Sequence, residues 1–235
     1  NQNGTKYRPK SIQDEYYREL GFLPGGATRG KLTVFGQLDG YRIGNIFRNL
    51  YIDSLSLGIK NFDNKKIRLY STNYDRTIES IRCVLAGMFP GKTTERAIIY
   101  TTEQTNEIHY PNYQFCKKYS HLWELRMNKT EMPEEQIKYR EILAHKLELN
   151  LNIMPLISDI WDEIHVLRGH HANMPMKFQR HINFIEQYAL SSFKFQHLSD
   201  PKSIYYGCGL ALKKIVNILK DSTLNNKFKT GYYIS

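Results

Sequence analysis

The segment from Ile67 to Pro90 passes from strand-like alternation to helical spacing with no linker between the two patterns. Apolar and polar side chains alternate over residues 67–71, which is typical of a half-buried strand. Apolar residues then recur three or four positions apart, which predicts a helix that buries one face. These residues are Ile78, Ile81, Leu85 and Met88. A second strand is predicted from Ala97 to Thr102, and the order strand, helix, strand indicates an α/β layer.

Another helix is predicted to begin after Thr33, whose hydroxyl suits the N-cap position. Five apolar residues of this helix fall on one stripe and predict the face on which it packs. The stripe consists of Phe35, Leu38, Ile43, Ile46 and Leu50. Upstream of it, a short polar helix is predicted from Ser11 to Leu20, followed by a glycine-rich loop.

The strand signal disappears between Pro111 and about Leu190, where helical patterns dominate. The predicted helices there are 133–149, 154–167 and 178–190. A helix over 210–219 and a strand over 231–235 follow. We therefore predict an α/β core made of residues 1–110 and 198–235, with a mostly α-helical cap inserted as residues 111–197.

The 33 Lys and Arg outnumber the 23 Asp and Glu and give the chain a formal net charge of +10. The basic residues occur in scattered pairs such as Lys65-Lys66, so a solvated basic surface is favoured over a nucleic-acid-binding site. No apolar run reaches the ~18 residues that a membrane-spanning helix needs. Phosphorylated small molecules remain plausible partners of such a surface.

The three cysteines and eight histidines show none of the spacings that are typical of zinc sites. Two carboxylates and three histidines crowd residues 162–171, but they do not form H-E-x-x-H, and no metal is predicted. Asn3 and Asn128 each begin an N-x-[ST] sequon, which is compatible with secretion and predicts glycosylation at both positions.

Arg76 stands in the sequence D-R-T at residues 75–77, at the junction between the first predicted strand and its helix. The free N–H groups of a helix start favour an anion, and an arginine there can direct its planar fork at that anion. Phosphate fits this description. The alternative is that Arg76 pairs with a local acid such as Glu79 and that Asp75 is an ordinary helix cap.

Residues 69–80, L-Y-S-T-N-Y-D-R-T-I-E-S, run on to L-A-G-M-F-P at 85–90, and the whole segment closely resembles the histidine acid phosphatases of the prostatic and lysosomal type. In that family a strand ends in S-T-x-x-D-R-T, which opens a helix ending in L-A-G-x-F-P. G-K-L-T at residues 30–33 is similar to the family's G-x-L-T helix. Y-G-C-G-L at residues 206–210 is similar to the glycine turn and helix late in its main domain.

The resemblance implies a three-layer α/β/α phosphatase domain with a helical cap, which hydrolyses phosphate monoesters through a phosphohistidine and without a cofactor. It implies that Arg76 clamps the phosphate, and a further hypothesis places His170 or His171 against the substrate. The family's nucleophile motif R-H-G-x-R-x-P and its H-D proton donor do not occur in the sequence. We therefore expect residues 1–235 alone to be inactive, with those two motifs lying outside them.

The family further implies a secretory setting, lysosomal or extracellular, with glycosylation and disulfides. Cys116 and Cys208 are then expected to be oxidised, and Cys83 to remain a free thiol. The expected partners are phosphorylated small molecules or phosphoproteins, with no nucleic acid and no membrane, and a homodimer is left open. Two alternatives remain: a catalytically inactive pseudophosphatase or phosphate-binding module and, more distantly, a basic nucleic-acid-binding domain.

Overall fold

The computed structural model of the chain describes residues 30–54, 59–91, 96–127 and 132–224. Four sequence-based predictions therefore lie outside the described residues. They are the helix from Ser11 to Leu20, the strand over 231–235, and the sequons at Asn3 and Asn128.

The described residues are mostly helical and contain two short strands. The α-helices are α1 (Val34–Phe47), α2 (Asp75–Met88), α3 (Lys117–Met127), α4 (Glu134–Leu147), α5 (Ile157–Gly169), α6 (Met176–Phe193) and α7 (Pro201–Leu224). The strands are β1 (Leu69–Tyr70) and β2 (Ile99–Tyr100). A π-helical turn follows α1 at Arg48–Ser54 and another follows α6 at Lys194–Leu198, and Gln104–Asn106 forms a 3-10 turn.

The chain forms two compact units. The first contains residues 1–109 and 214–235, and the second contains residues 110–213. The division falls within α7, between Lys213 and Lys214. The helices predicted over residues 111–190 are confirmed with shifted ends, and α3 is an additional helix that the apolar pattern did not indicate.

The two strands pair in parallel, with Leu69 opposite Ile99 and Tyr70 opposite Tyr100. Helix α2 connects them, which gives the strand–helix–strand order that the sequence predicted. Because the strands are parallel, their carboxyl ends meet at the same edge of the sheet. The residues that follow Tyr70 and Tyr100 therefore lie at one edge.

The first unit has its own apolar core beneath α2 and the strands. Helix α2 buries the face that its spacing predicted, with Ile81, Leu85 and Met88 inside. Val84 of α2 and Ile52 of the π-helical turn after α1 also belong to this core. The other buried apolar residues come from β1 and the loops, and they are Ile59, Phe62, Ile67, Leu69 and Phe89. This core joins β1 to the middle and the end of α2.

Helices α1 and α2 touch backbone to backbone through glycine. A Cβ added to Gly44 would lie 2.0 Å from the carbonyl oxygen of Val84, and one added to Gly87 would lie 2.1 Å from the carbonyl oxygen of Tyr41. Real Cβ atoms do not approach other atoms so closely, so these two positions exclude every side chain. The hydrogen atoms of glycine are what permit this helix spacing.

The same two helices are also joined at both of their ends. Lys31, just before α1, forms an ion pair with Asp75 in the first turn of α2. Arg48, just after α1, donates from Nη1 to the carbonyl oxygen of Met88 at the end of α2, 2.9 Å away. The two helices therefore run side by side in the same direction, and each end of the pair carries a polar link.

The prediction that α1 packs through its apolar stripe is wrong. Its five residues are all between 44 and 54% exposed, whereas Gly40 and Gly44 are buried. Hydrophobic spacing located the helix, but the closest contact forms through residues that have no side chain. Thr33 does cap the helix, because its Oγ1 accepts a hydrogen bond from the N–H of Gly36 at 3.2 Å.

The second unit has a separate apolar core formed by α4, α5 and α6. Its most buried members are Leu143, Leu147, Ile164, Ile185 and Tyr188. The prediction of a glycine turn at residues 206–210 is wrong, because these residues lie inside the continuous helix α7. Gly207 is instead a packing position, since a Cβ there would lie 3.1 Å from the ring of Tyr119.

The glycine contact predicts that Gly44→Ala lowers the free energy of unfolding by about 2 kcal/mol, because the added methyl group must push two helix backbones apart. Gly169→Ala is the matched control, since nothing lies within 4 Å of a Cβ at that position. Urea unfolding followed by circular dichroism measures both variants. Equal stability of the two variants would contradict the backbone contact.

Candidate functional site

The turn after β1 carries the residues that the sequence singled out. Ser71, which is only 1% exposed, donates from its backbone N–H to the carbonyl oxygen of Tyr100 at 2.9 Å. Its hydroxyl donates to the carbonyl oxygen of Thr72 at 2.8 Å. The beginning of the turn is therefore attached to the neighbouring strand and buried beneath it.

Two threonine hydroxyls hold the two sides of the turn together. Oγ1 of Thr72 donates to Oγ1 of Thr77 at 2.8 Å. Oγ1 of Thr77 in turn lies 3.0 Å from the carbonyl oxygen of Thr72 and 2.9 Å from that of Tyr74. These short contacts fix the position at which α2 begins relative to the end of β1.

The backbone at the start of α2 favours the binding of an anion. Tyr74 occupies the N-cap position, and its side chain makes no capping hydrogen bond. The first N–H groups of a helix carry the positive end of its dipole, which favours negative charge. Asp75 in the first turn supplies one such charge, and its carboxylate is paired with Lys31.

Arg76 is held at this helix start by an aromatic ring. Its guanidinium carbon lies 4.8 Å from the centroid of the Tyr74 ring, within the range of a cation–π contact. Glu79, the local acid considered as an alternative partner, pairs with Arg82 at 2.9 Å. The side chain of Arg76 is half-buried. This contact keeps Arg76 beside the start of α2, where the N–H donors of a guanidinium suit recognition of an anion.

Glu107 and His109 lie beyond the end of β2, and the sequence patterns did not single out Glu107. The Glu107 carboxylate is buried and accepts from the N–H groups of Ile108 and His109, at 2.8 and 2.9 Å. Nδ1 of His109 lies 2.5 Å from the same oxygen, and the Thr102 hydroxyl lies 3.3 Å from the other oxygen. Four donors thus satisfy one buried carboxylate. An isolated acid in a loop gives no periodic signal, so spacing alone does not reveal it.

The structure places His170 and His171 at the end of α5, in the unit formed by residues 110–213, whereas Arg76 belongs to the other unit. Both histidines are exposed. His171 adopts a left-handed conformation with φ of 52°, and the N–H of Ala172 reaches back to the carbonyl oxygen of Leu167 at 2.9 Å. This is the hydrogen-bond pattern of a helix C-cap that glycine usually forms.

A second buried polar cluster lies in the unit formed by residues 110–213. The Tyr119 hydroxyl lies 2.8 Å from Nδ1 of His197, and burial raises the pKa of Tyr119. Burial, followed by the nearby Arg126 charge, lowers the pKa of His197. Arg126 donates to the carbonyl oxygen of Gln196 at 2.8 Å and contacts the Ser203 hydroxyl. This cluster attaches the π-helical turn after α6 to α3.

The three cysteines all carry free thiols in the structure, so the oxidation of Cys116 and Cys208 stays a prediction. Burial raises the pKa of Cys83. A Cβ added at Gly40 would lie 2.9 Å from the Cβ of Cys83, so α1 packs directly on this part of α2. The sequence patterns did not indicate which segment lies next to Cys83. In the described ranges, no three potential metal ligands cluster together, and no helix is long and apolar enough to span a membrane.

The sequence of the chain matches a known family. The model of the histidine phosphatase superfamily, branch 2, matches residues 6–183. The chain belongs to this superfamily. Membership confirms the resemblance seen in the D-R-T segment, and it confirms an α/β fold class, since the histidine phosphatase fold is α/β.

Phosphatases from other organisms are similar in sequence to this chain. Human lysophosphatidic acid phosphatase type 6 is 35% identical over 119 residues, which cover 51% of this chain and 26% of that protein. The bovine protein of the same name is 35% identical over 109 residues, covering 46% of this chain and 25% of its own length. A probable acid phosphatase of Dictyostelium discoideum is 33% identical over 84 residues, which cover 36% of this chain and 17% of that protein. The chain thus spans about a quarter of the length of the first two relatives.

The conformation of His171 predicts that His171→Gly raises the free energy of unfolding by about 1 kcal/mol, because glycine removes the cost of a left-handed residue with a Cβ. The matched control is His170→Gly, because His170 already has a φ of −98°. We expect the control to be neutral or destabilising. Urea unfolding measures both variants, and a larger gain at His170 than at His171 would contradict the assignment of the cap.

Proposed function

We propose that the protein is a phosphatase that hydrolyses phosphate monoesters and that Arg76 binds the phosphoryl group. The observation that carries this proposal is the position of Arg76 at the start of α2, held on the Tyr74 ring, within the stretch that the superfamily model matches. A planar guanidinium recognises two phosphate oxygens at once. The helix start adds N–H groups and a favourable dipole to the same site.

The proposed chemistry is the one that the resemblance to histidine acid phosphatases implies. A histidine nitrogen attacks phosphorus and forms a P–N bond, while the P–O bond to the alcohol breaks and a carboxylic acid protonates the departing oxygen. Water then hydrolyses the phosphohistidine and releases phosphate. Arg76 contributes by stabilising the charge on the transferring phosphoryl group, which is a major source of catalysis in phosphoryl transfer.

Several finer features belong to the same proposal. The core has three α/β/α layers, and residues 111–197 form a helical cap whose His170 or His171 contacts the substrate. The protein functions in the secretory pathway, in the lysosome or outside the cell, with glycans on Asn3 and Asn128. The substrate is a phosphorylated small molecule or a phosphoprotein. Because two relatives are named for lysophosphatidic acid, a lysophospholipid phosphate is the first small molecule to test.

The role of Arg76 predicts that Arg76→Ala weakens the binding of inorganic phosphate by residues 1–235 by roughly tenfold or more, because a charge-assisted hydrogen bond is lost. Arg82→Ala is the matched control, since Arg82 lies on the same helix and is exposed and paired with Glu79. Isothermal titration calorimetry at low salt measures both affinities. In a longer protein that also carries the R-H-G and H-D motifs, Arg76→Ala should lower kcat/KM by roughly 10². Equal phosphate affinity of the two variants would remove Arg76 from the site.

A phosphate-binding module without turnover is the second candidate function, because Arg76 and the start of α2 suit anion binding on their own. We expect these residues to bind phosphate but not to hydrolyse p-nitrophenyl phosphate from acidic to neutral pH in the presence of a chelator. The control is the gene-length protein in the same assay. Turnover by residues 1–235 that Arg76→Ala abolishes would show that another residue is the nucleophile. Lack of turnover by the gene-length protein would favour the binding module.

A further inference from the structure

Lys214 lies directly against the strand that leads to the phosphate turn. Its Nζ is 3.8 Å from the centroid of the Tyr70 ring, and Tyr70 is the last residue of β1. Lys214 belongs to the same compact unit as Arg76, and it is only partly buried. The fold thus brings a lysine from α7, more than a hundred residues further along the chain, to the carboxyl end of β1.

Two cations are therefore held on tyrosine rings at the two sides of one turn. Lys214 lies on Tyr70 before the turn, and Arg76 lies on Tyr74 after it. Three residues lie between the two tyrosines, so their Cα atoms are at most about 14 Å apart. Lysine and arginine both have long stems, and two such side chains can meet at one anion across this distance.

The surroundings of Lys214 fix its position on the sheet edge. The Tyr70 ring packs against the Tyr100 ring of the neighbouring strand, with 5.5 Å between centroids. Burial lowers the pKa of Lys214, and the smaller Coulombic effect of the nearby Glu107 carboxylate opposes this shift. The ammonium group is thus partly removed from water and orientated by an aromatic face, and a nearby negative charge attracts it.

We propose that Lys214 is a second phosphate-binding residue, which acts together with Arg76 at the carboxyl end of β1. This inference rests on the proposed function, since it assigns another residue to the same anion site. A lysine is a mobile point charge, whereas an arginine is a rigid fork. Lys214 therefore supplies a point charge to the anion, while Arg76 fixes the orientation of the anion.

The competing explanation is that Lys214 only anchors α7 to the sheet through its cation–π contact. Lys214→Met separates the two explanations, because it keeps most of the apolar stem and removes the charge. Lys214→Arg keeps the charge and the contact with the ring. Lys213→Met is the matched control, since it changes the net charge equally at the adjacent exposed position.

The experiment measures the affinity of residues 1–235 and each variant for inorganic phosphate by calorimetry at low salt, with circular dichroism to verify folding. We expect phosphate affinity to fall roughly tenfold in Lys214→Met, and to stay within about twofold in Lys214→Arg and Lys213→Met. In the unsubstituted protein, phosphate should shift the side-chain NMR signals of Lys214 but not those of Lys213. This second measurement holds even if Lys214→Met does not fold.

The outcomes show whether the inference fails alone or together with the proposed function. If Arg76→Ala weakens phosphate binding and Lys214→Met does not, or if phosphate leaves the NMR signals of Lys214 unchanged, the inference is overturned and the proposed function stands. Equal weakening in Lys213→Met and Lys214→Met also overturns it, because the effect would then be one of net charge. If the unsubstituted protein binds no phosphate, both the inference and the proposed function are overturned.

Discussion

The glycine contact between α1 and α2 is the constraint on which the rest of the first unit depends. Two helix backbones approach until Gly44 and Gly87 leave no room for a methyl group. Polar links at both ends, from Lys31 to Asp75 and from Arg48 to Met88, then fix the two helices in register. Because α2 cannot slide along α1, the position of its first turn is fixed, and with it the position of Arg76.

The end of β1 combines this rigid helix start with chemistry suited to an anion. The threonine contacts close the turn, and the aromatic faces of Tyr70 and Tyr74 each hold a cation beside it. An aromatic ring orientates a cation without neutralising it, in contrast to a carboxylate. Both cations thus lie beside the turn, and Lys31 and Asp75 form an ion pair at the same helix start.

The sequence predicted those features that depend on local spacing or on a specific motif. The cap at Thr33, the buried face of α2, the order strand–helix–strand and the D-R-T turn all have such signals. The packing face of α1 was predicted wrongly because hydrophobic spacing reports where apolar side chains lie, and this contact is made where side chains are absent. Glu107 and Lys214 gave no signal, since their positions depend on residues far away in the sequence. His171 was singled out as a histidine, but its left-handed backbone follows from the geometry of a helix end.

The pairing of α1 with α2 also has a consequence for the order of folding. The contacts of Gly44 with Gly87 and of Leu69 with Ile99 join residues that are much closer in the sequence than Lys214 and Tyr70 are. Contacts between sequence neighbours cost less loop-closure entropy, so they form early. The helix pair and the strand pair are therefore expected to form before the cation from α7 reaches Tyr70.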